Sequence, residues 1–501
     1  MDHTRVVLHY GWPLVAALVL AGLGAKLTFG HRKRNPKGLP LPPGPKGLPV
    51  IGNLLQIPQV KPWLVYDQWA HKYGDVIYVE AIGQPIILLN TMAATLPLLE
   101  KKGMNYSDRL YLPTFKIMKL DWSLALLNYG PEWRAHRRAF HQSLSPTMIP
   151  PYHALIEEEC LVFLRNLLTN PRDFAGHTRY YFGSVLMRVS YGVTDFEFNR
   201  QLINDAEVVL RAFSSAVVPG RMLVNNFPFL RHVPDWFPGT GWKQVCNEVG
   251  RLNDRVVNKG FNEAQSRYRN ETSQSDHPSI VGGLLEELPP ETDPTYAERE
   301  YIVRCVAAQS YTAGSDTTLT ASLALFAALA LHPAVQEKAQ AELDSVLGAE
   351  RLPIAKDIEK LPYIQAIAKE IVRWYTVVPL GVPHLSKEDD EYDGYFIPKG
   401  TLIQVNIWYV SIMHDPENYD DPHEFRPERF LKNGKIDPSV MDPETAIFGF
   451  GRRICPGRHL SNASFGVMLA SVLAVFHFGI PKDEAGREKK LKLVMGSDMI
   501  A

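Results

Sequence analysis

The sequence predicts one mainly α-helical domain with a small β region, preceded by a single N-terminal transmembrane helix. Three observations predict it. Residues 150–290 show mostly amphipathic helical spacing, and further helical patterns begin at Pro131, Thr295 and Pro362. Only one pair of strand-like runs stands out, Val76–Glu80 and Ile86–Leu89, around Gly83 and Pro85. Gly11 to Gly30 is apolar except for Lys26, long enough to cross a bilayer core. The chain has 501 residues, a length open to two or three average domains or to one large one. We divide it into an anchor at 1–30, a basic and Pro-rich hinge at 31–50, and one domain at 51–501.

Net charge is −1, which gives no electrostatic case for nucleic acid. A hydrophobic fraction of 46% supports a sizeable core. Cys160, Cys246, Cys305 and Cys455 are scattered with no CxxC, as expected of reduced thiols facing the cytosol. At the amino end, Arg32, Lys33, Arg34 and Lys37 follow the apolar run, against Arg5 before it. That asymmetry puts the carboxyl side in the cytosol. A cleaved signal peptide with a small-residue site at Ala21–Ala25 is the competing reading. The basic cluster after the apolar run, instead of before it, favours the anchor. Pro40, Pro42, Pro43, Gly44 and Pro45 then form a stiff, non-helical connector.

Pro131 and Glu132 suit the first turn of a helix. Trp133 and Arg137 share one face of it, and Arg134 and Arg138 the adjacent face. Phe227 to Pro238 holds four large aromatics and three prolines and should form no regular element. Thr295 to Glu298 fits a capping box, opening a helix that runs to His332 before Pro333. Leu319–Leu331 is almost wholly apolar, as in a helix buried all round. Inside the helix, Ala313-Gly314-Ser315-Asp316-Thr317-Thr318 weakens it locally. The Thr317 hydroxyl can bond the Ala313 carbonyl and open a groove. Pro362 starts a helix with Ile364, Ile367, Ile371 and Trp374 at helical spacing, and Glu370 and Arg373 paired on one face. Glu-x-x-Arg alone is a poor signal, since Glu248/Arg251 and Glu484/Arg487 match it too. Pro379 to His384 should be extended.

The stretch Phe448 to Gly457 holds one cysteine, with no Cys or His nearby to complete a zinc site. A lone thiolate suits the iron of a large cofactor that brings its own equatorial ligands. Glycines allow the backbone close to a flat macrocycle, and N–H groups can turn toward the sulfur. Arg453 can reach a carboxylate of such a group.

Phe448, Gly451, Arg453, Cys455 and Gly457 meet the pattern Phe-x-x-Gly-x-Arg-x-Cys-x-Gly, which resembles the haem-binding loop of the cytochrome P-450 superfamily. The Ala313–Thr318 run is similar to that superfamily's oxygen-binding motif. So is the order of Glu370/Arg373, Phe425 to Phe430, and the Cys455 loop. The Pro-Pro-Gly-Pro hinge resembles microsomal members. The Phe227–Pro238 segment loosely resembles fungal members called O-methylsterigmatocystin oxidoreductase-like.

The resemblance implies a cytochrome P-450 fold and a haem-thiolate monooxygenase. Haem b would sit with Cys455 as axial ligand. Trp133, Arg137, His384 and Arg453 would hold its propionates, with Phe448 and Gly457 in the binding loop. Asp316 and Thr317 would relay the protons that dioxygen needs before its O–O bond breaks. Glu370, Arg373 and Arg429 would form a buried structural network. Phe227–Pro238 would cover the substrate entrance near the membrane. Electrons would come from NADPH through a separate flavoprotein reductase, since the chain lacks a Rossmann glycine fingerprint. Arg134, Arg138 and Arg458 would meet that partner. The substrate would be a small apolar organic molecule, a secondary metabolite or xenobiotic, and the location the endoplasmic reticulum membrane. Rival readings are a haem-thiolate isomerase or dehydratase needing no external electrons, and an inactive, truncated family member. The last arises because Gly496–Ala501 is too short for the C-terminal hairpin usual in the family. A more open pocket is therefore expected.

Overall fold

The computed structural model describes residues 34–217, 221–270, 278–408, 412–496 and 499–500. The anchor at 1–30 lies outside them. The hinge from Arg34 onward is described, and it is more than a spacer. The Tyr78 amide donates to the Pro43 carbonyl at 2.8 Å, and the Phe396 amide donates to the Pro40 carbonyl at 2.9 Å. Gly44 lies so close that a Cβ there would stand 1.9 Å from the Tyr78 carbonyl oxygen. The stiff connector is thus docked along a sheet. Prolines suit that position, because they have no N–H to leave unpaired at an edge.

The sheet is small and mixed. Strands β1 (Val76–Ala81) and β2 (Gln84–Leu89) form the expected hairpin, in register Val76↔Leu89. Its two-residue turn is Ile82-Gly83, both at positive φ (50° and 77°), as a primed turn requires. Pro85 falls inside β2, not in the turn. Strands β3 (His384–Leu385) and β4 (Leu402–Val405) complete the order β1-β2-β4-β3, with β2 and β4 parallel.

Helices build the rest. They include α1 (Pro131–Leu144), α2 (Phe174–Tyr191), α3 (Phe196–Ala216) and α4 (Gly241–Arg269). The central helix α5 spans Tyr296–Leu331, 36 residues, followed by α6 (Pro362–Trp374) and α7 (Arg458–Val475). Helix α5 packs against α1, α2, α3 and α4, so helices surround it and its apolar half is core, as Leu319–Leu331 implies. It remains continuous through Ala313–Thr318, since this packing outweighs the local propensity.

Two expectations need correction. Thr295 makes no side-chain cap on α5; its hydroxyl instead donates to the Asp293 carboxylate at 2.6 Å. That bond orients the hydroxyl toward an acid two residues back, and its oxygen accepts from no helix amide. Phe227–Pro238 contains one regular piece, a 3₁₀ turn at Pro228–His232. Pro at its first position fits, because that N–H has no partner to lose. Its aromatics are presented to solvent, Trp236 at 81% exposure.

Behind α6 lies the buried ion network. Glu370 and Arg373 are both fully buried and joined by two hydrogen bonds of 2.6 and 2.8 Å. Arg429 Nε donates to the same carboxylate at 3.1 Å, and the Arg426 amide at 2.7 Å. The remaining Arg373 donors reach the carbonyls of Met413, Pro422 and Glu424. With these charges satisfied, the network pins the segment after α6 that leads to the Cys455 loop.

Candidate active site

The Cys455 loop owes its shape to its own glycines. Gly449 and Gly451 take φ of 78° and 54°, a region that costs other residues about 1 kcal/mol or more. At Gly451 a Cβ would also stand 2.3 Å from the Leu99 carbonyl oxygen. A 3₁₀ turn at Gly451–Arg453 follows, and the Cys455 amide donates to the Phe448 carbonyl at 2.8 Å. The loop then runs into the first turn of α7. Burial pushes the Cys455 thiol pKa up, while the Gly457 amide, the Arg137 and Arg458 guanidinium groups and the Arg458 amide oppose that rise. Those donors and cations are the groups that favour a thiolate.

Cys455 lines a cavity of about 560 Å³, together with Phe448, Gly457, Trp133, Arg137, His384, Arg453 and Thr317. Eight of the nine expected site residues therefore meet at one void. Along its rim stand three arginines. Arg453 donates to the carbonyls of Ser107 (2.7 Å), Leu124 (3.1 Å) and Leu127 (2.5 Å), with its guanidinium 4.9 Å from the Trp133 ring centre. Arg137 donates to the Ile454 carbonyl at 2.6 Å. The third, Arg109, was not foreseen. It is 6% exposed and donates to the carbonyls of Ala125, Val382 and Pro383. Nothing in the local pattern around Arg109 marks it, because Val382 and Pro383 lie more than 270 residues away.

Among the described residues, none of these three arginines forms an ion pair with a carboxylate. Burial and mutual repulsion hold Arg109 well below its usual range, and burial brings Arg453 down to about 10. His384 Nδ1 lies 2.7 Å from the Tyr106 carbonyl oxygen, and burial beside Arg109 pushes its pKa down. Trp133 Nε1 is buried with no partner. One buried and two half-buried cations without a carboxylate ion pair, and an orphaned donor, beside a void suit an anionic occupant. A haem with its propionates fits this rim, and the Cys455 loop fits its iron.

Across the cavity, Thr317 Oγ1 donates to the Ala313 carbonyl at 3.2 Å, as its spacing predicts. Thr318 and Ser461 hydroxyls lie 3.2 Å apart and join α5 to α7. Asp316 is the exception among the site residues: it does not line the cavity. Its neighbours are Glu207, Arg179 and Arg211; burial and then Glu207 raise its pKa. Glu207 itself pairs with Arg179 at 3.1 Å and with Arg211. Far along the chain, Met499 and Ile500 line the cavity too. The tail thus supplies apolar wall where a more open pocket was expected, although residues 490–496 form no strand. On the outer face of α1, Arg134 and Arg138 are exposed, and Arg134 and Arg452 lie 5.8 and 5.2 Å from the Tyr129 ring centre.

A family model described as Cytochrome P450 matches residues 42–499. The cytochrome P450 monooxygenase COX1 of Coprinopsis cinerea is 51% identical over 95% of this chain and 92% of that protein. COX2 of the same fungus is 41% identical over 95% and 90%. The tryptamine 4-monooxygenase of Psilocybe cyanescens is 34% identical over 95% and 92%. With a thiol on the cavity floor, cations on its rim and this likeness along nearly its full length, the chain belongs to the cytochrome P450 family, as a fungal-type monooxygenase.

Proposed function

We propose that the protein inserts one oxygen atom of dioxygen into a small apolar organic substrate, at a haem b whose axial ligand is Cys455. One observation carries this reading: Cys455 shares a cavity with the buried Arg109 and the half-buried Arg137 and Arg453, none of which has a carboxylate partner among the described residues. Haem bound there supplies dioxygen activation and oxygen insertion into a C–H or C=C bond. Trp133, Arg137, His384 and Arg453, joined by Arg109, hold the propionates. Phe448 and Gly457 shape the loop around the sulfur.

Thr317 positions a hydroxyl on the cavity side of α5. Asp316 holds its proton above the usual carboxylate range and so stands ready as a donor from the outer side of the same helix. The lining carboxylate among the described residues is Glu444, which accepts from Asn462 at 2.9 Å. Electrons come from NADPH through a flavoprotein reductase that meets Arg134, Arg138 and Arg458. The apolar run at residues 11–30 and the exposed Phe229, Trp236 and Phe237 support a location on the cytosolic face of the endoplasmic reticulum membrane.

The test is labelled-oxygen incorporation with purified reductase. Product should carry one atom from dioxygen and require both NADPH and reductase. Product formed from a peroxide substrate without electrons would replace this reading with an isomerase or dehydratase.

A further inference from the structure

Away from Cys455 the cavity lining is mainly apolar, with Leu120, Trp122, Leu126, Val209 and Phe213 among others, interrupted by the polar side chains of Ser123, Gln309, Ser310 and Thr312. Gln309 lines the cavity from α5, and its amide is oriented by a neighbour: Ser123 Oγ donates to Gln309 Oε1 at 2.5 Å. With the oxygen occupied, the amide nitrogen is the free end, and it has no acceptor among the described residues. Two hydroxyls of the same helix also line the cavity: Thr312, whose hydroxyl donates to the Ala308 carbonyl at 2.9 Å, and Ser310.

Gln309, Ala313 and Thr317 succeed one another at intervals of four, so they share one face of α5, and all three line the cavity. Eight residues of α-helix rise ~12 Å. Gln309 is therefore a donor set about that far from the hydroxyl beside the reacting centre.

We propose that Gln309 is a specificity-determining residue. Its amide N–H group binds an acceptor oxygen, a ketone or hydroxyl, at the far end of an otherwise apolar substrate. Ser123 is the positioning residue that keeps the amide turned inward. The substrate class is then a rigid carbon skeleton already bearing one oxygen, oxidised ~10 Å away from it. This inference rests on the haem-thiolate reading.

The probes are perhydrophenanthrene and perhydrophenanthren-2-one, titrated into haem-loaded protein and followed by the substrate-induced spin shift. The protein is first checked for the red-shifted carbon monoxide band. Absence of that band defeats the haem-thiolate reading; its presence confines any later failure to Gln309. Wild type should bind the ketone about three- to tenfold more tightly than the hydrocarbon, the range of one neutral hydrogen bond. Gln309→Met should remove that preference, so that ketone and hydrocarbon bind with equal affinity. Ser123→Ala should reduce the preference in part. Equal affinity for both probes in wild type, no binding of either, or an unchanged preference in Gln309→Met each overturns the proposal. If Gln309→Met fails to take up haem, an unchanged preference in Ser123→Ala overturns it and a reduced one supports it.

Discussion

On the Cys455 side of the cavity, ten consecutive residues from Phe448 to Gly457 carry the thiol, the positive-φ glycines and a rim cation. The opposite wall is gathered from Leu120–Leu126, Leu186, Val209–Phe213, Gln309–Ala321, Val377–Val382 and Met499–Ile500. The first region is set by local backbone geometry, where one added Cβ would collide with a carbonyl. The second is set by tertiary packing of apolar side chains, where volume-conserving exchanges are tolerated. The chemistry of the site is therefore concentrated, and its selectivity dispersed. Substitutions on the two sides should fail in different ways.

The largest effect is expected beneath the loop. Arg373→Ala leaves Glu370 buried with its main partner gone, a loss of about 3–5 kcal/mol in unfolding free energy. Urea denaturation followed by haem absorbance would measure it, and a loss below ~1 kcal/mol would make the network dispensable. Gly451→Ala, at φ 54° and against the Leu99 carbonyl, should come next, with severe loss of bound haem at nearly unchanged helix content. Across the cavity, effects should fall on coupling instead. Thr317→Ala should retain haem but raise hydrogen peroxide per NADPH by several-fold, read from paired peroxide and product assays.

Asp316 gives a pH signature. Its carboxyl pKa is raised, first by burial and then by Glu207, so it stays protonated to higher pH than an ordinary aspartate. Turnover that uses this proton falls as pH climbs through the raised value. Asp316→Asn should lower turnover and remove that alkaline limb; a limb that persists assigns it to another group. The smallest effect belongs to the outer face of α1. Arg134→Glu/Arg138→Glu should slow reductase-driven turnover a few-fold, mainly at low salt, and spare peroxide-driven turnover. Equal loss in both assays would point to damage of the haem site.

The same contrast explains what was legible in the sequence. The Cys455 loop and the Thr317–Ala313 bond are contacts within a few residues, so spacing alone reveals them. The Glu370–Arg373 pair is local too, but its meaning came from its order relative to Phe425–Phe430 and the loop. Arg109 stayed hidden because its acceptors come from Ala125 and from Val382 and Pro383. Gln309 stayed hidden because its partner Ser123 is 186 residues away. Thr295 misled because its hydroxyl is oriented by a local acid, Asp293, to which it donates, and it caps no helix amide. The hinge misled in another way: composition gives its stiffness but not that its carbonyls accept from Tyr78 and Phe396.

The most direct measurement concerns the sulfur itself. Dithionite-reduced protein under carbon monoxide should show the strongly red-shifted Soret band of a thiolate-ligated haem. Cys455→His should abolish that band, while Cys160→Ala, Cys246→Ala and Cys305→Ala, all buried away from the cavity, should keep it. A red-shifted band that survives Cys455→His, or is missing from wild-type protein loaded with haem, would contradict the account.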